Sequence, residues 1–287
     1  LLHRLEIYDL LKTRTIARMT QLNYFDAVDY PSLIAEYGRP EDFIKRFKRL
    51  SRDELRALQN IRFKHVLDFA WKVPFYQRLW SAQGIEHGDI RSLDDITRLP
   101  VYSKNDLMIS VELHPPMGDF HGLEAYTPEM RPPLIFQTTT GTTGRPQPLL
   151  YGPKSREIQN LLLARLYALQ GINRDDVVHS VYGHGLVNGG HYVRETILHW
   201  IGAHFLSAGT GVETRSANQV DLMKAFGTNV LLGFGDYIKH LSEVARTAGL
   251  EPGHDIKIST ISGHIGAESH SAMSEAWGGA EVFDWYG

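Results

Sequence analysis

From residue 134 to the end of the chain, short apolar runs of β type alternate with amphipathic helical stretches. Strand-like runs are read at 134–137, 177–182, 203–207, 229–233, 256–262 and 281–285. Helical runs are read at 156–169, 192–201, 218–226, 237–248 and 268–277, with 148–152 as the return partner of the first strand. The helix at 156–169 sets Ile158, Leu161, Leu162, Leu166 and Leu169 on its core side, with Gly171 as a stop beyond its end. Strands and helices in alternation leave few architectures: a largely parallel sheet flanked by helices, hence an α/β fold. Ligands of such sheets bind beyond the carboxyl ends of the strands.

The preceding third is of another kind, a mainly helical region over 1–133 before the α/β part at 134–287. Ser51-Arg52-Asp53-Glu54 is a capping-box pattern. Leu55, Leu58, Val66, Phe69 and Ala70 then fall on one helical stripe, which Pro74 is expected to terminate. A short helical pattern follows Asp89, and the Pro- and Gly-rich stretch 114–133 reads as a long loop marking the boundary.

Composition removes several classes of function. With 30 Lys+Arg against 33 Asp+Glu, the net charge of −3 draws neither nucleic acid nor anionic lipid through bulk attraction. The absence of Cys excludes disulfides, thiolate metal sites and a cysteine nucleophile. The first residues lack the apolar core of a signal peptide, and no uncharged apolar run approaches the ~18 residues of a membrane span. A cytoplasmic protein without a membrane or nucleic-acid partner is expected. The chain begins with Leu rather than Met and stops just past a core strand, so both ends are expected to be incomplete.

Chemistry concentrates in Thr138-Thr139-Thr140-Gly141-Thr142-Thr143-Gly144-Arg145. Glycines let backbone amides converge on one point, hydroxyls add donors, and Arg145 brings a fixed charge, which together make an anion cradle. The plain alternative is a Thr-rich turn between two strands, which needs only one or two of these residues. It is no Walker loop, because Arg145-Pro146-Gln147-Pro148 leads into a strand rather than from Gly-Lys-Ser/Thr into a helix.

The stretch 138–146 resembles the phosphate loop of the adenylate-forming enzymes, the acyl- and aryl-CoA ligases, luciferases and adenylation domains. Within them the chain looks most like the phenylacetate–CoA ligases. The likeness continues in Val73-Pro74-Phe75-Tyr76, in 89–107, in the glycine-rich segment 182–190, in Gly266-Ala267-Glu268 and in Asp284-Trp285-Tyr286-Gly287, in the expected order. It implies an acid-CoA ligase that uses ATP, Mg2+ and CoA and forms homodimers. A carboxylate attacks the α-phosphate of ATP, and a thiol then displaces AMP. By resemblance, Thr138 to Arg145 hold the departing phosphates, an electrostatic and positional task. Gly266, Ala267, Glu268, Asp284, Trp285 and Tyr286 line the adenine site. A tight strand-to-helix turn is the other explanation of Gly266-Ala267. Arg145 stands where Lys is usual, which keeps the charge but changes its geometry. The Mg-binding Glu, the ribose-binding Asp and the lid with its Lys follow Gly287 in the family, so no catalytic residue is assigned within this chain.

Tyr182, His184, Val187, Gly189, Gly233, Phe234 and His264 are carried over as the acid pocket. His184 and Val187 replace a usual Tyr and Phe, which opens one wall and adds polarity, so the expected acid is larger or more polar than phenylacetate: fused-ring, hydroxylated or dicarboxylic. His184 is equally explained as a gate, His264 as a strand end, and Gly233 and Phe234 as the start of a helix. The 14 histidines fit no single metal-binding face and are expected to be satisfied or exposed. Two other classes stay open: a carboxylate adenylase with a non-CoA acceptor, and a non-catalytic nucleotide-binding scaffold.

Overall fold

The computed structural model describes residues 23–127, 130–139 and 146–286. In chain order the elements are α1 (Tyr30–Tyr37), α2 (Pro40–Phe47), α3 (Arg52–Ala70), α4 (Pro74–Ser81) and α5 (Lys104–Leu113). The hairpin strands β1 (Ile135–Thr138) and β2 (Pro148–Tyr151) follow, then α6 (Pro153–Leu169), β3 (Val177–Ser180) and α7 (Gly189–Thr196). The rest is β4 (His204–Ser207), α8 (Ser216–Phe226), β5 (Val230–Phe234), α9 (Gly235–Thr247), β6 (Thr260–His264), α10 (His270–Ala276) and β7 (Glu281–Asp284). Two compact units emerge, one built on Arg46–Lys154 and one on Ser155–Gly287 together with Pro31–Lys45. In the second, Arg165 of α6 donates to the Tyr37 carbonyl and lays its guanidinium 3.5 Å from the centre of the Phe43 ring.

In the first unit, helix starts are fixed by neighbours in sequence. The Glu54 amide donates to Ser51 Oγ (3.2 Å) and the Ser51 amide to Glu54 Oε2 (2.8 Å), which completes the expected capping box. Ser103 and Asp106 repeat the device at α5. Ser92 and Asp95 do so at the 3₁₀ turn Leu93–Arg98, the short helical pattern read after Asp89. The buried seam of α3 differs from the expected one: Val66 is 67% and Phe69 40% exposed, while Leu67 is buried. Leu67 packs with Trp80, Ile85 and Ile90, against Phe63 and Ala70 of its own helix. Pro74 does not end α3, which closes at Ala70; it opens α4 from the first turn, where its missing N–H costs no bond. β1 and β2 pair antiparallel from Ile135↔Tyr151 to Thr138↔Pro148.

The second unit is a five-stranded sheet in the order β4-β3-β5-β6-β7, with every pairing parallel. Its central strand shows why helices cover both faces. Leu231 packs with Val220 of α8, Ile238 and Leu241 of α9 and Met273 of α10. Val230 and Leu232 pack with Tyr167 of α6 and with Tyr192 and Val193 of α7. A strand buried on both faces reads as a continuous apolar run rather than an alternation. The α/β class is therefore as expected.

Two details of the second unit depart from expectation. Leu162 and Leu169 of α6 are 48% and 63% exposed, while Arg156, Glu157 and Asn160 are fully buried. Arg156 bonds Glu195 and Asn188, and Glu157 accepts from the Trp200 indole N–H (2.9 Å) and lies 3.0 Å from His199 Nδ1. An apolar periodicity cannot anticipate charges that are buried in pairs. The strand expected at 256–262 begins at Thr260, since Ile256 and Ile258 are buried in a preceding segment, and it runs on to His264. Among the described residues no helix is long and apolar enough to cross a membrane.

Candidate functional site

The carboxyl ends of the parallel strands gather four aromatic side chains. Ladder register puts Gly233 opposite Gly263, Phe234 opposite His264, and Gly263 opposite Asp284. Just beyond β3, the Tyr182 ring lies 5.2 Å from Phe234 and 5.9 Å from His264. His264 is 5.4 Å from Phe234 and 4.9 Å from Trp285, by ring centres. Tyr182 Oη and His264 Nδ1 are 2.8 Å apart. Burial, with Tyr192 nearby, pushes the Tyr182 hydroxyl far above its usual pKa, so it stays protonated. Gly263 lies against this pair: a Cβ there would stand 1.9 Å from the Gly233 carbonyl oxygen and 2.9 Å from Tyr182 Oη. Only glycine allows both the ladder and the hydroxyl their positions.

The turn from β6 into α10 holds Gly266, Ala267 and Glu268. Gly266 has φ +66°, left-handed backbone that a side chain strains, and Ala267 is exposed. Ser269 closes the turn by accepting from the Ala272 amide, and the Ile265 amide donates to Asp284 Oδ1 (3.0 Å), which ties the turn to the end of β7. Lys239 of α9 donates to Glu268 Oε2 at 2.8 Å, and this bond raises the Lys239 pKa. Tyr286 is fully exposed. Trp285 packs instead with His264 and with Tyr167 and Tyr192, each 6.3 Å away. It thereby links the stretch read as adenine-binding to the one read as acid-binding.

His184 lies apart from the aromatic group. Its Nε2 is 3.1 Å from Ser207 Oγ at the end of β4, and its ring is 5.5 Å from His191. Burial first, then the neighbouring His191 and Arg194, lower its pKa, which leaves a neutral ring near pH 7 able both to donate and to accept. Val187 is 44% exposed in the loop before α7, and Gly189 opens that helix. Asn188, between them, is fixed by buried Arg156.

In the first unit, Thr138 closes β1. The Thr139 amide donates to the Gln147 carbonyl (3.1 Å), and the Gln147 amide donates to Thr139 Oγ1 (3.0 Å). Thr140 to Arg145 lie outside the described residues. Among the described residues no group of three or more His, Asp or Glu side chains is arranged to hold a metal ion.

Sequence reasoning missed Ser207, Lys239 and Arg156. Ser207 was within reach, because it ends a predicted strand on the ligand-binding edge. Lys239 and Arg156 act on partners 29 and 32 residues away with no motif between them.

Comparison with known proteins gives the same direction. No protein-family model matches the chain. A phenylacetate-coenzyme A ligase of Aromatoleum evansii is 26% identical over 252 residues, which is 85% of this chain and 53% of that protein. A phenylacetate-coenzyme A ligase of Thermus thermophilus is 30% identical over 207 residues, 71% of this chain and 43% of that protein. Among solved structures, 2-hydroxyisobutyryl-CoA ligase in complex with 2-HIB-AMP and CoA superposes with a TM-score of 0.71 at 27% identity, over 81% of this chain and 49% of that one. The parallel sheet, its aromatic carboxyl edge and these likenesses are those of the adenylate-forming superfamily. Within it, the chain is phenylacetate–CoA ligase-like. It spans about half the length of the curated relatives it matches.

Proposed function

We propose that this protein, as its full-length gene product, activates a carboxylic acid with ATP and passes the acyl group to CoA. A carboxylate oxygen would attack the α-phosphorus with loss of pyrophosphate; the CoA thiol would then attack the acyl carbonyl with loss of AMP. The observation that carries this reading is the meeting of two sequence-distant stretches, 182–190 and 263–286, at one edge of a parallel sheet. In doubly wound sheets that edge is where ligands bind.

In this reading 134–287 is the nucleotide- and acid-binding part, after the mainly helical 1–133. Thr138 to Arg145 hold the phosphates. Gly266, Ala267 and Glu268 border the adenine, with Asp284 beside it and the exposed Tyr286 stacked upon it. Mg2+ would offset phosphate charge; the residue that holds it in the family lies beyond Gly287. Tyr182, Phe234, Gly233 and His264 form the inner wall of the acid pocket, and His184, Val187 and Gly189 the outer one. We read the acid as an aryl or arylacetic acid, larger or more polar than phenylacetate, because the neutral His184–Ser207 pair suits a hydroxyl. A cytoplasmic homodimer completes the proposal.

The test is carboxylate-dependent exchange of labelled pyrophosphate into ATP by the full-length gene product. The panel holds phenylacetate, hydroxylated and fused-ring aryl acids, and dicarboxylates. Exchange with an aryl acid, followed by AMP release only when CoA is added, is the expected result. AMP release without CoA would direct the adenylate to another acceptor. No exchange with any acid, despite ATP binding, would reduce the proposal to a nucleotide-binding scaffold.

A further inference from the structure

The contact between Tyr182 and His264 fixes more than a distance. Tyr182 is buried, and among the described residues its hydroxyl proton has one acceptor, His264 Nδ1 at 2.8 Å. If the imidazole donated through Nδ1–H, the phenol proton would be left buried without an acceptor, a costly arrangement. If the phenol donates, both groups are satisfied. Burial also keeps that phenol protonated. The hydroxyl is therefore the donor, Nδ1 the acceptor, and a neutral His264 carries its proton on Nε2.

That proton has no acceptor among the described residues, and His264 is half-buried at the carboxyl end of β6. The ring packed 4.9 Å from it, Trp285, adds a buried donor: its indole N–H has no hydrogen-bond partner. Buried polar groups are nearly always paired, so the Trp285 indole N–H marks where an acceptor is brought by something else, and the half-buried His264 ring packs beside it. The edge of the sheet on which they stand is the one proposed above for the acid.

We propose that His264 donates its Nε2–H to the carboxylate of the acid and, after adenylation, to the acyl carbonyl oxygen. Tyr182 is the positioning residue that selects the tautomer. The inference rests on the proposed ligase reading, and it adds a binding contact for the acid's reacting end that involves neither the threonine-rich loop nor the lid.

The experiment combines pyrophosphate exchange with imidazole NMR on the full-length gene product, using His264→Phe, His264→Gln and Tyr182→Phe. Circular dichroism and thermal midpoints establish that each variant folds. His264→Phe should lower kcat/KM for the acid roughly 10- to 100-fold, the range of a lost hydrogen bond to a charged group, with KM for ATP unchanged. His264→Gln keeps an N–H donor and should recover most of that loss. In 15N-labelled protein the resonance missing from His264→Gln should report Nε2 protonated and Nδ1 bare, and Tyr182→Phe should mix the two tautomers. A proton on Nδ1 in the wild type, or wild-type acid kinetics in His264→Phe, overturns the inference while leaving the ligase reading intact. Absence of exchange in the wild type with every acid overturns the ligase reading, and the inference falls with it.

Discussion

Both compact units contain long-range pairs, such as Arg78 with Asp119 in the first, but they differ in what sets their helix starts and their side-chain clusters. In the unit built on Arg46–Lys154, three Ser-x-x-Glu/Asp boxes set the starts of helical segments, and each partner lies three residues away. In the unit built on Ser155–Gly287, the fixing contacts cross the sequence: Trp277 Nε1 donates to the Ile238 carbonyl (3.1 Å), Arg156 bonds Glu195, and Tyr182 meets His264. The difference teaches where chemistry can be built. A local device positions a backbone end, whereas a parallel sheet brings distant side chains to one edge and holds them there. The threonine-rich stretch belongs to the first kind, because its own sequence is its signal. The aromatic edge belongs to the second.

The strongest challenge to this contrast is Trp277→Ala. Trp277 is fully buried against the α9 side of the sheet, so its loss should cost about 3–5 kcal/mol and remove the indole hydrogen bond to the Ile238 carbonyl. Urea unfolding measures it. A change below about 1 kcal/mol would mean that the second unit does not rely on its long-range core.

Arg145→Ala sharpens the functional half of the comparison. If the loop works on phosphate charge, pyrophosphate exchange should fall roughly 10²- to 10³-fold, with the unfolding midpoint unmoved. Unaltered exchange would reduce the loop to a turn.

The units should also respond to pH in opposite directions. In the first, burial favours the neutral form of Asp119, but bonds from Arg78 and Ser110 outweigh it and hold the carboxyl below its ordinary pKa. Its contribution is complete above the unfolded value near about 4 and is lost as pH falls through the folded value. In the second, the hydrogen bond with Glu157 raises His199 despite burial. That contribution is complete below about 6.5 and is lost as pH rises through the raised value. Asp119→Asn should therefore flatten stability against pH on the acid side, and His199→Gln between neutral and mildly alkaline pH. Unchanged profiles would remove these pairs from the account.

The smallest effect is local. Ser51→Ala should cost about 1 kcal/mol and speed amide exchange at the start of α3, leaving protection of the β5 amides unchanged. Loss of protection in β5 as well would erase the contrast between the units.

Legibility in the sequence follows the same division. The capping box at Ser51 could be read because its residues adjoin, and the alternation after residue 134 could be read because buried strands are apolar whatever they pack against. Ala70 of the expected α3 seam packs in the core, but Leu67 replaces Val66 and Phe69 there, because the helix turns toward Trp80, a partner that periodicity does not name. The buried Arg156 and Glu157 were invisible, since charged residues on a helix read as solvated until their partners are known. In the candidate site, Tyr182, Phe234 and His264 were picked as individual positions, while their assembly around a single hydrogen bond depended on the register of three strands. Lys239 carried no signal at all.

The most direct test of the central claim, that the carboxyl edge of this sheet receives an acyl-adenylate, is calorimetric titration of the full-length gene product with non-hydrolysable acyl-sulfamoyl adenosines of the aryl acid panel. The account predicts saturable binding of one mimic per chain, competitive with ATP and weakened by His264→Phe. Absence of binding by every mimic, in protein shown to be folded, would contradict it.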